Sequence, residues 1–422
     1  MLKRGIAIGM SVLMCLSLAG CAKTNTNVKP TEKAKVENTQ SATENEETTE
    51  GQVVTDDTEI KAMAASIVGN MTLEEKVGQM FIMNLEQLDN TNGSYYEYRE
   101  CTDGMKEKLE KYHLGGVILF SRNISEIDQT KKLITDLQEG SSVPLFVSVD
   151  EEGGSVARIG NNPNMRTHTF PTMEEIGANE NEEYAYTMGK TIGQDIKELG
   201  FNLDFAPVAD VKTNAYNTEI GDRSFGSNPE VVAKLVKQVV YGIQDQGISA
   251  TLKHFPGHGS TAEDSHEKPV NADSDLLDLR SKEFKPFQAG IDAGADFVMV
   301  SHISISKVTE NTVPASMSKI VIQSMLRKEL GFEGIVITDA MDMGAVTRKY
   351  EPGEAAVNCV KAGVDIVLMS TDLEKAYEAV MDAVKKGKIS EEQINESVQR
   401  VMQIKIKRGI ILSNTDLLGE QQ

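Results

Sequence analysis

The chain of 422 residues is 40% hydrophobic, enough apolar material for one large core or two modest ones, since domains usually run to about 100–200 residues. Its 64 Asp and Glu against 43 Lys and Arg give a formal charge of −21, which repels phosphate backbones and anionic lipid surfaces, so nucleic acid is not an expected partner. Four cysteines at spacings that match no zinc or redox pattern leave neither a disulfide framework nor a structural metal to organise the fold.

In chain order, residues 1–20 have the form of a secretory leader: Lys3 and Arg4 precede an apolar stretch over 5–19 that is too short to span a bilayer. The stretch ends in Leu18-Ala19-Gly20-Cys21, which resembles the lipobox of bacterial lipoproteins. That resemblance implies acylation of Cys21 and a protein held at the extracellular face of the bacterial membrane through its lipid anchor alone. The bland alternatives are a plain signal peptide with an incidental cysteine, or an uncleaved anchor. Cys15 would leave with the leader, and Cys101 and Cys359 read as ordinary thiols. Residues 21–57, rich in Thr, Glu, Asn and Lys, cannot bury enough surface to offset ordering entropy and read as a flexible tether.

Over 58–415 apolar, β-rich runs alternate with amphipathic segments. Eight runs stand out, at 79–84, 115–120, 144–150, 201–207, 248–254, 296–302, 334–339 and 365–370. Most are continuously apolar, as expected of strands covered by helices on one side and filled by side chains on the other. Helical spacing marks 184–199, 229–246, 318–330 and 373–385 between and after them. Eight β-then-α units imply an α/β fold of the (β/α)8 TIM-barrel type, with a doubly wound open sheet as the runner-up. In a barrel, catalytic groups sit at the C-terminal strand ends. Asp150, Lys253 with His254, His302 and Asp339 each close one of the runs.

The densest chemistry lies over 253–266, KHFPGHGSTAEDSH, which holds three of the six histidines. Pro256, Gly257 and Gly259 prevent a regular helix, so a strand runs here into a bendable loop. Asp264 lies two residues before His266, close enough to accept a hydrogen bond from one imidazole nitrogen and leave the other free for proton transfer. A zinc site built from His254, His258, Asp264 and His266 is chemically possible. However, His-x3-His ligation favours a single helical face, which Pro256 and Gly257 break. A structural histidine network is the other plain reading.

This run resembles the signature of the family 3 glycoside hydrolases, in particular their β-N-acetylglucosaminidase branch, and the likeness extends over 72–409. The resemblance implies that His266 is the general acid/base, Asp264 its orienting partner, and Lys253 and His254 a pair that holds substrate hydroxyls. It also points to Asp339, in Ile337-Thr338-Asp339-Ala340-Met341-Asp342, as the nucleophile. Ala340 departs from the commonest family pattern, in which a second acid follows. Asp342 is the competitor, one helical turn away. Asp150 and Arg158, with Arg223 in Gly221-Asp222-Arg223-Ser224-Phe225-Gly226, match the family's substrate-binding groups, and His302 joins them at a strand end. Many extracellular members carry a further domain after the barrel; here the chain ends soon after Leu418, which leaves any outer subsites such a domain supplies unassigned.

The expected reaction is a retaining double displacement that removes terminal β-linked N-acetylglucosamine from a carbohydrate substrate, cell-wall muropeptides being the natural source, without metal or other cofactor. A histidine acid/base repels an anionic acceptor less than a carboxylate does, so phosphorolysis is an alternative, as is another family 3 β-glycosidase. A non-catalytic sugar-binding lipoprotein is the competitor from another class; it needs Asp150, Arg158 and Lys253 but not both His266 and Asp339. The Asp264 and His266 segment, on a Gly-rich loop, is expected to be the movable part of the site.

Overall fold

A computed structural model describes residues 54, 56–93 and 95–412. The expected leader, Cys21 and all but the end of the expected tether lie outside the described residues. Among the described residues no helix is long and apolar enough to cross a membrane.

The chain enters through α1 (Asp57–Asn70) and α2 (Leu73–Gln79). Capping sets both starts. Asp56 accepts from the backbone N–H groups of Thr58 and Glu59, and Thr72 and Glu75 form a reciprocal box in which the Thr72 N–H donates to Glu75 Oε2 at 2.7 Å. Among the described residues eight parallel strands follow: β1 (Phe81–Asn84), β2 (Gly116–Ile118), β3 (Phe146–Val149), β4 (Leu203–Asp204), β5 (Ser249–Phe255), β6 (Phe297–Val300), β7 (Ile335–Thr338) and β8 (Val367–Leu368). Each pairs with its successor from β1 to β7, and β8 returns to β1. The β7 and β8 segments meet through the parallel bridge Ile337–Ile366 and a 3.0 Å bond from Thr338 N–H to Ile366 O. The sheet therefore closes on itself as a (β/α)8 barrel, and the open doubly wound alternative, which needs two free edges, is excluded.

The helices α3 (Asp103–Tyr112), α4 (Ile127–Glu139), α5 (Glu182–Leu199), α6 (Pro229–Gln244), α7 (Phe284–Asp292), α8 (Ile320–Glu329) and α9 (Pro352–Ala362) fill the seven crossovers, and α10 (Leu373–Lys385) and α11 (Glu391–Lys407) complete the shell. Each apolar run expected to be a strand coincides with one of the eight. Two are regular over far less than the run. In 201–207 the regular strand is confined to Leu203–Asp204, and Pro207 beyond it has no N–H to offer a ladder. In 365–370 the Asp365 carboxylate takes the Val336 N–H at 2.8 Å, so a side chain occupies a place that a carbonyl holds in a regular pair.

Only one mouth of the barrel is left for chemistry. Phe146 on β3 and Phe297 on β6 meet edge to face at 5.2 Å although two strands separate them in the sheet, so both rings fill the interior. Below them the Lys405 ammonium, 5.2 Å from the Phe146 ring, donates to Gln79 Oε1 at 2.7 Å and to Pro144 O at 2.6 Å. The N-terminal end is thus plugged, and the C-terminal strand ends converge on the other rim.

Helices α5 and α6 are drawn together by glycines. A Cβ at Gly242 would lie 2.3 Å from Tyr186 O and 2.5 Å from Lys190 N, and one at Gly189 would lie 2.6 Å from Val239 O. Alanine at a helical Gly ordinarily gains up to ~1 kcal/mol. Here Gly242→Ala is expected to cost about 1–3 kcal/mol by overpacking, measured by denaturant unfolding, and an unchanged or raised midpoint contradicts this packing.

Candidate active site

The strand ends assemble a buried chain of alternating charges. Asp150 follows β3, and beyond it the ribbon Glu151–Gly153 and Val156–Ala157 folds back through Gly153 and Gly154, whose φ values of +87° and +58° favour glycine. The Glu151 carboxylate fixes the return, accepting from the N–H groups of Ile159 and Gly160 at 2.8 Å each. Arg158 is thereby carried back to within 3.6 Å of Asp150. Lys253, on β5, donates to Asp150 at 2.8 Å and to Glu152 at 2.6 Å. Glu152 also accepts both Arg223 Nε and Nη2, at 2.8 and 2.7 Å. Burial alone would raise the Glu152 carboxyl, but Arg223 and Lys253 hold it far below the ordinary carboxylate range. Burial would likewise depress the Lys253 ammonium, and Asp150 and Glu152 outweigh it and push it up. The result is a rigid row of donors and acceptors of the kind that vicinal sugar hydroxyls require.

His254 continues the row. Its Nδ1 lies 2.7 Å from Asp210 Oδ2, which also accepts the His254 backbone N–H at 3.1 Å, and its Nε2 faces Arg223 at 3.4 Å. The other Asp210 oxygen takes the His258 N–H, so one carboxylate sets both the ring and the start of the following loop.

That loop presents His266 at the rim, its side chain 61% exposed. Asp264 Oδ1 accepts the His266 backbone N–H at 2.8 Å and lies 2.9 Å from Nδ1, while Glu219 Oε1 lies 3.3 Å from the same nitrogen. With Nδ1 carrying the hydrogen toward two carboxylates, Nε2 is the ring atom left for proton transfer. The hydrogen bond with Glu219, opposed by desolvation and aided by Asp339 and Asp264, pushes His266 up to about 9. The segment expected to be movable is docked here: Gly344 N–H donates to His266 O at 2.8 Å and Ala345 N–H to Ser265 O at 3.1 Å.

Asp339 follows β7, half-buried, its N–H bonded to Val300 O at 2.9 Å and its Oδ1 accepting the Ala340 N–H at 2.8 Å. Burial would raise its carboxyl, but the charges of His254, His302 and His266 and the Ala340 N–H hold it below its ordinary value. Asp342 does not lie a helical turn away as expected. Residues 341–343 form a turn, the next helix begins at Gly344, and Asp342 is exposed. His302 is buried with both ring nitrogens engaged, Nδ1 with Ser316 Oγ at 2.8 Å and Nε2 with Ala340 O at 3.1 Å, so it sits behind Asp339. Its burial lowers its pKa.

All nine side chains singled out in the sequence for binding or catalysis therefore gather at one rim. Three that were not singled out hold four of them there: Glu152 pairs with Lys253 and Arg223, Asp210 with His254, and Glu219 with His266. Glu152 lies two residues after Asp150, whereas Asp210 and Glu219 lie more than forty residues from His254 and His266, the histidines they serve. The zinc set weighed from the sequence is not assembled, because His258 spends its nitrogens on Ser265 and Thr261. Among the described residues, the group with donor atoms close enough for a metal ion is Glu219, Asp264 and His266, within 4.8 Å of one another. Beside the site a cleft of ≈ 760 Å³ opens along the rim, bordered by Phe120, Arg122 and Asp342 and running out to Asn84 and Tyr95.

Replacing Glu152 by Ala leaves Lys253 and Arg223 as buried, partly unpaired cations, and is expected to cost about 3–5 kcal/mol of stability, with Glu152→Gln costing less. Thermal or denaturant unfolding checks this, and an Ala variant as stable as the parent contradicts the charge row.

The model of the glycosyl hydrolase family 3 N-terminal domain matches residues 72–404. β-Hexosaminidase A of Pseudoalteromonas piscicida is 34% identical over 331 residues, covering 72% of this chain and 55% of its own length. The β-hexosaminidase of Hydrogenovibrio crunogenus is 35% identical over 281 residues, covering 65% of this chain and 77% of its own length. Among solved structures, a family 3 β-N-acetylglucosaminidase from Paenibacillus sp. FPU-7 superposes with a TM-score of 0.75 at 36% identity, covering 83% of this chain and 66% of that one. The chain thus spans little more than half the length of the first relative and about two thirds of the Paenibacillus chain. With the closed barrel, these likenesses establish that the chain belongs to glycosyl hydrolase family 3.

Proposed function

We propose that this protein is a retaining β-N-acetylhexosaminidase that removes terminal, non-reducing β-linked N-acetylglucosamine. The observation that carries the reading is the pairing, at one rim, of a half-buried carboxylate held in its charged form, Asp339, with a histidine held in its proton-bearing form, His266. The names of the relatives support the choice of sugar.

The row from Arg158 to Arg223 grips the hydroxyls of the sugar and leaves its anomeric carbon toward Asp339. Asp339 attacks that carbon as His266 gives the Nε2 proton to the departing oxygen, forming a covalent glycosyl-enzyme. The same nitrogen, now free, takes a proton from water as the water attacks, and Asp339 is released. His302 positions Asp339 by bridging Ser316 and Ala340 behind it. The cleft beside Phe120 and Asp342 gives the leaving group a place to lie. The natural source of substrate is proposed to be cell-wall muropeptides, reached from a Cys21 lipid anchor on the outer face of the membrane; the support is the order of basic, apolar and small residues before that cysteine.

With the 4-nitrophenyl β-N-acetylglucosaminide, Asp339→Ala is expected to abolish turnover and His266→Ala to lower kcat by ~10²–10⁴-fold. Full activity in either variant overturns the mechanism. Proton NMR during the first turnovers is expected to show β-N-acetylglucosamine, and initial α-anomer contradicts a double displacement. Cys21→Ala is expected to move the protein from the membrane fraction to the soluble one, and an unchanged distribution removes the anchor.

A further inference from the structure

We propose that Glu219 is a positioning residue for the proton donor: its carboxylate docks the 264–266 loop and shares the Nδ1 hydrogen of His266 with Asp264, while its backbone carbonyl holds the substrate-gripping Arg223. The inference rests on the reading of His266 as acid/base and adds a group from a different segment of the chain, the loop after β4.

The geometry is specific. Glu219 Oε2 accepts the Ser265 backbone N–H at 2.9 Å and lies 3.2 Å from His258 Nε2. Its Oε1 accepts the Ser265 hydroxyl at 2.7 Å and lies 3.3 Å from His266 Nδ1. Its own carbonyl accepts Arg223 Nη1 at 3.0 Å. Asn217, two residues earlier, steadies the segment from both sides: it accepts the Ile220 N–H at 2.8 Å and donates to His258 O at 2.8 Å. One residue thus joins the fixed, sugar-holding half of the site to the loop that carries the proton.

A side chain that only filled space would not present both oxygens to donors. Burial would raise the Glu219 carboxyl, but His266, His258 and Ser265 hold it down to about 2, so it is an anion throughout the working range. The groups facing His266 are Asp264 on its own loop, Glu219 after β4, His302 after β6, and Asp339 and Asp342 after β7. Glu219 is the first cause of the raised His266 value. The sign follows. A raised histidine keeps its proton through neutral pH and loses it as pH rises through about 9, so the proton-donating form persists further into the basic range than an ordinary imidazole allows. Removing the Glu219 charge moves that loss to lower pH.

The test compares wild type with Glu219→Gln and Glu219→Asp. Gln keeps an acceptor for Ser265 and removes the charge, and Asp keeps the charge on a shorter arm. Two quantities are read: the His266 titration by long-range proton–nitrogen NMR, which needs no turnover, and kcat/KM against pH with an alkyl β-N-acetylglucosaminide, whose poor leaving group requires protonation. In Glu219→Gln the His266 titration and the basic limb of the rate profile are both expected to fall by about 1–2 pH units, with Glu219→Asp restoring part of each. A purely structural role would lower activity equally at all pH and leave the limb in place. An unmoved His266 titration in folded Glu219→Gln, with its unfolding midpoint as control, overturns the proposal. A shifted titration with an unmoved rate limb instead overturns His266 as the proton donor, so failure of the proposed mechanism is distinguishable from failure of the role of Glu219.

Discussion

The site depends on one buried carboxylate answered by two cations. Glu152 lies between Lys253 and Arg223 where water cannot screen it, and in such surroundings an ion pair stands only if each charge is matched and hydrogen-bonded. Because Lys253 also reaches Asp150, and Asp150 faces Arg158, the match propagates from the end of β3 to the end of β5 and on to the loop after β4. Three segments far apart in sequence are thereby locked at fixed spacing before any substrate arrives. In the proposed mechanism, preorganisation of this kind lets hydroxyl recognition hold the anomeric carbon in place for attack.

Around this fixed half the reactive groups are tuned in opposite senses. Asp339 is surrounded by three histidines and a backbone N–H, which favour its anion. His266 is surrounded by carboxylates, which favour its cation. An attacking anion and a proton-bearing donor are the two states a glycosylation step needs, and each helps to maintain the other. In the proposed mechanism, a histidine donor with two carboxylates on Nδ1 reaches this division of labour without the pair of carboxyl groups usual in glycosidases.

Much of this was legible in the sequence. The eight strand segments were visible because continuous apolar runs of strand length are what a sheet covered on both sides demands, and the polar residues closing them marked the rim. The motif over 253–266 announced Asp264 and His266 through local spacing. What the sequence could not show were contacts made by folding. Nothing in Asn217-Thr218-Glu219 indicates that Glu219 will meet Ser265, and nothing in Ala209-Asp210 that Asp210 will hold His254. The same gap explains the expectations that the structure corrects, for Asp342 and for His302. Asp342 was placed by assuming a helix directly after β7, where the chain instead turns before Gly344. In this conformation the 264–266 segment, expected to be movable, is held by Glu219 and the 344–345 backbone. His302 was read as a ligand for sugar from its strand-end position, and the structure shows its nitrogens occupied by Ser316 and Ala340.

The central claim is that Asp339 becomes covalently bonded to the sugar while His266 moves the proton. The most direct measurement is intact and peptide mass spectrometry of enzyme quenched after brief exposure to a fluorinated N-acetylglucosaminyl donor that slows hydrolysis of the intermediate. The account predicts a single added sugar on the peptide containing Asp339, accumulating further in His266→Ala. Absence of an adduct from a turning-over enzyme, or its attachment to Asp342, would contradict it.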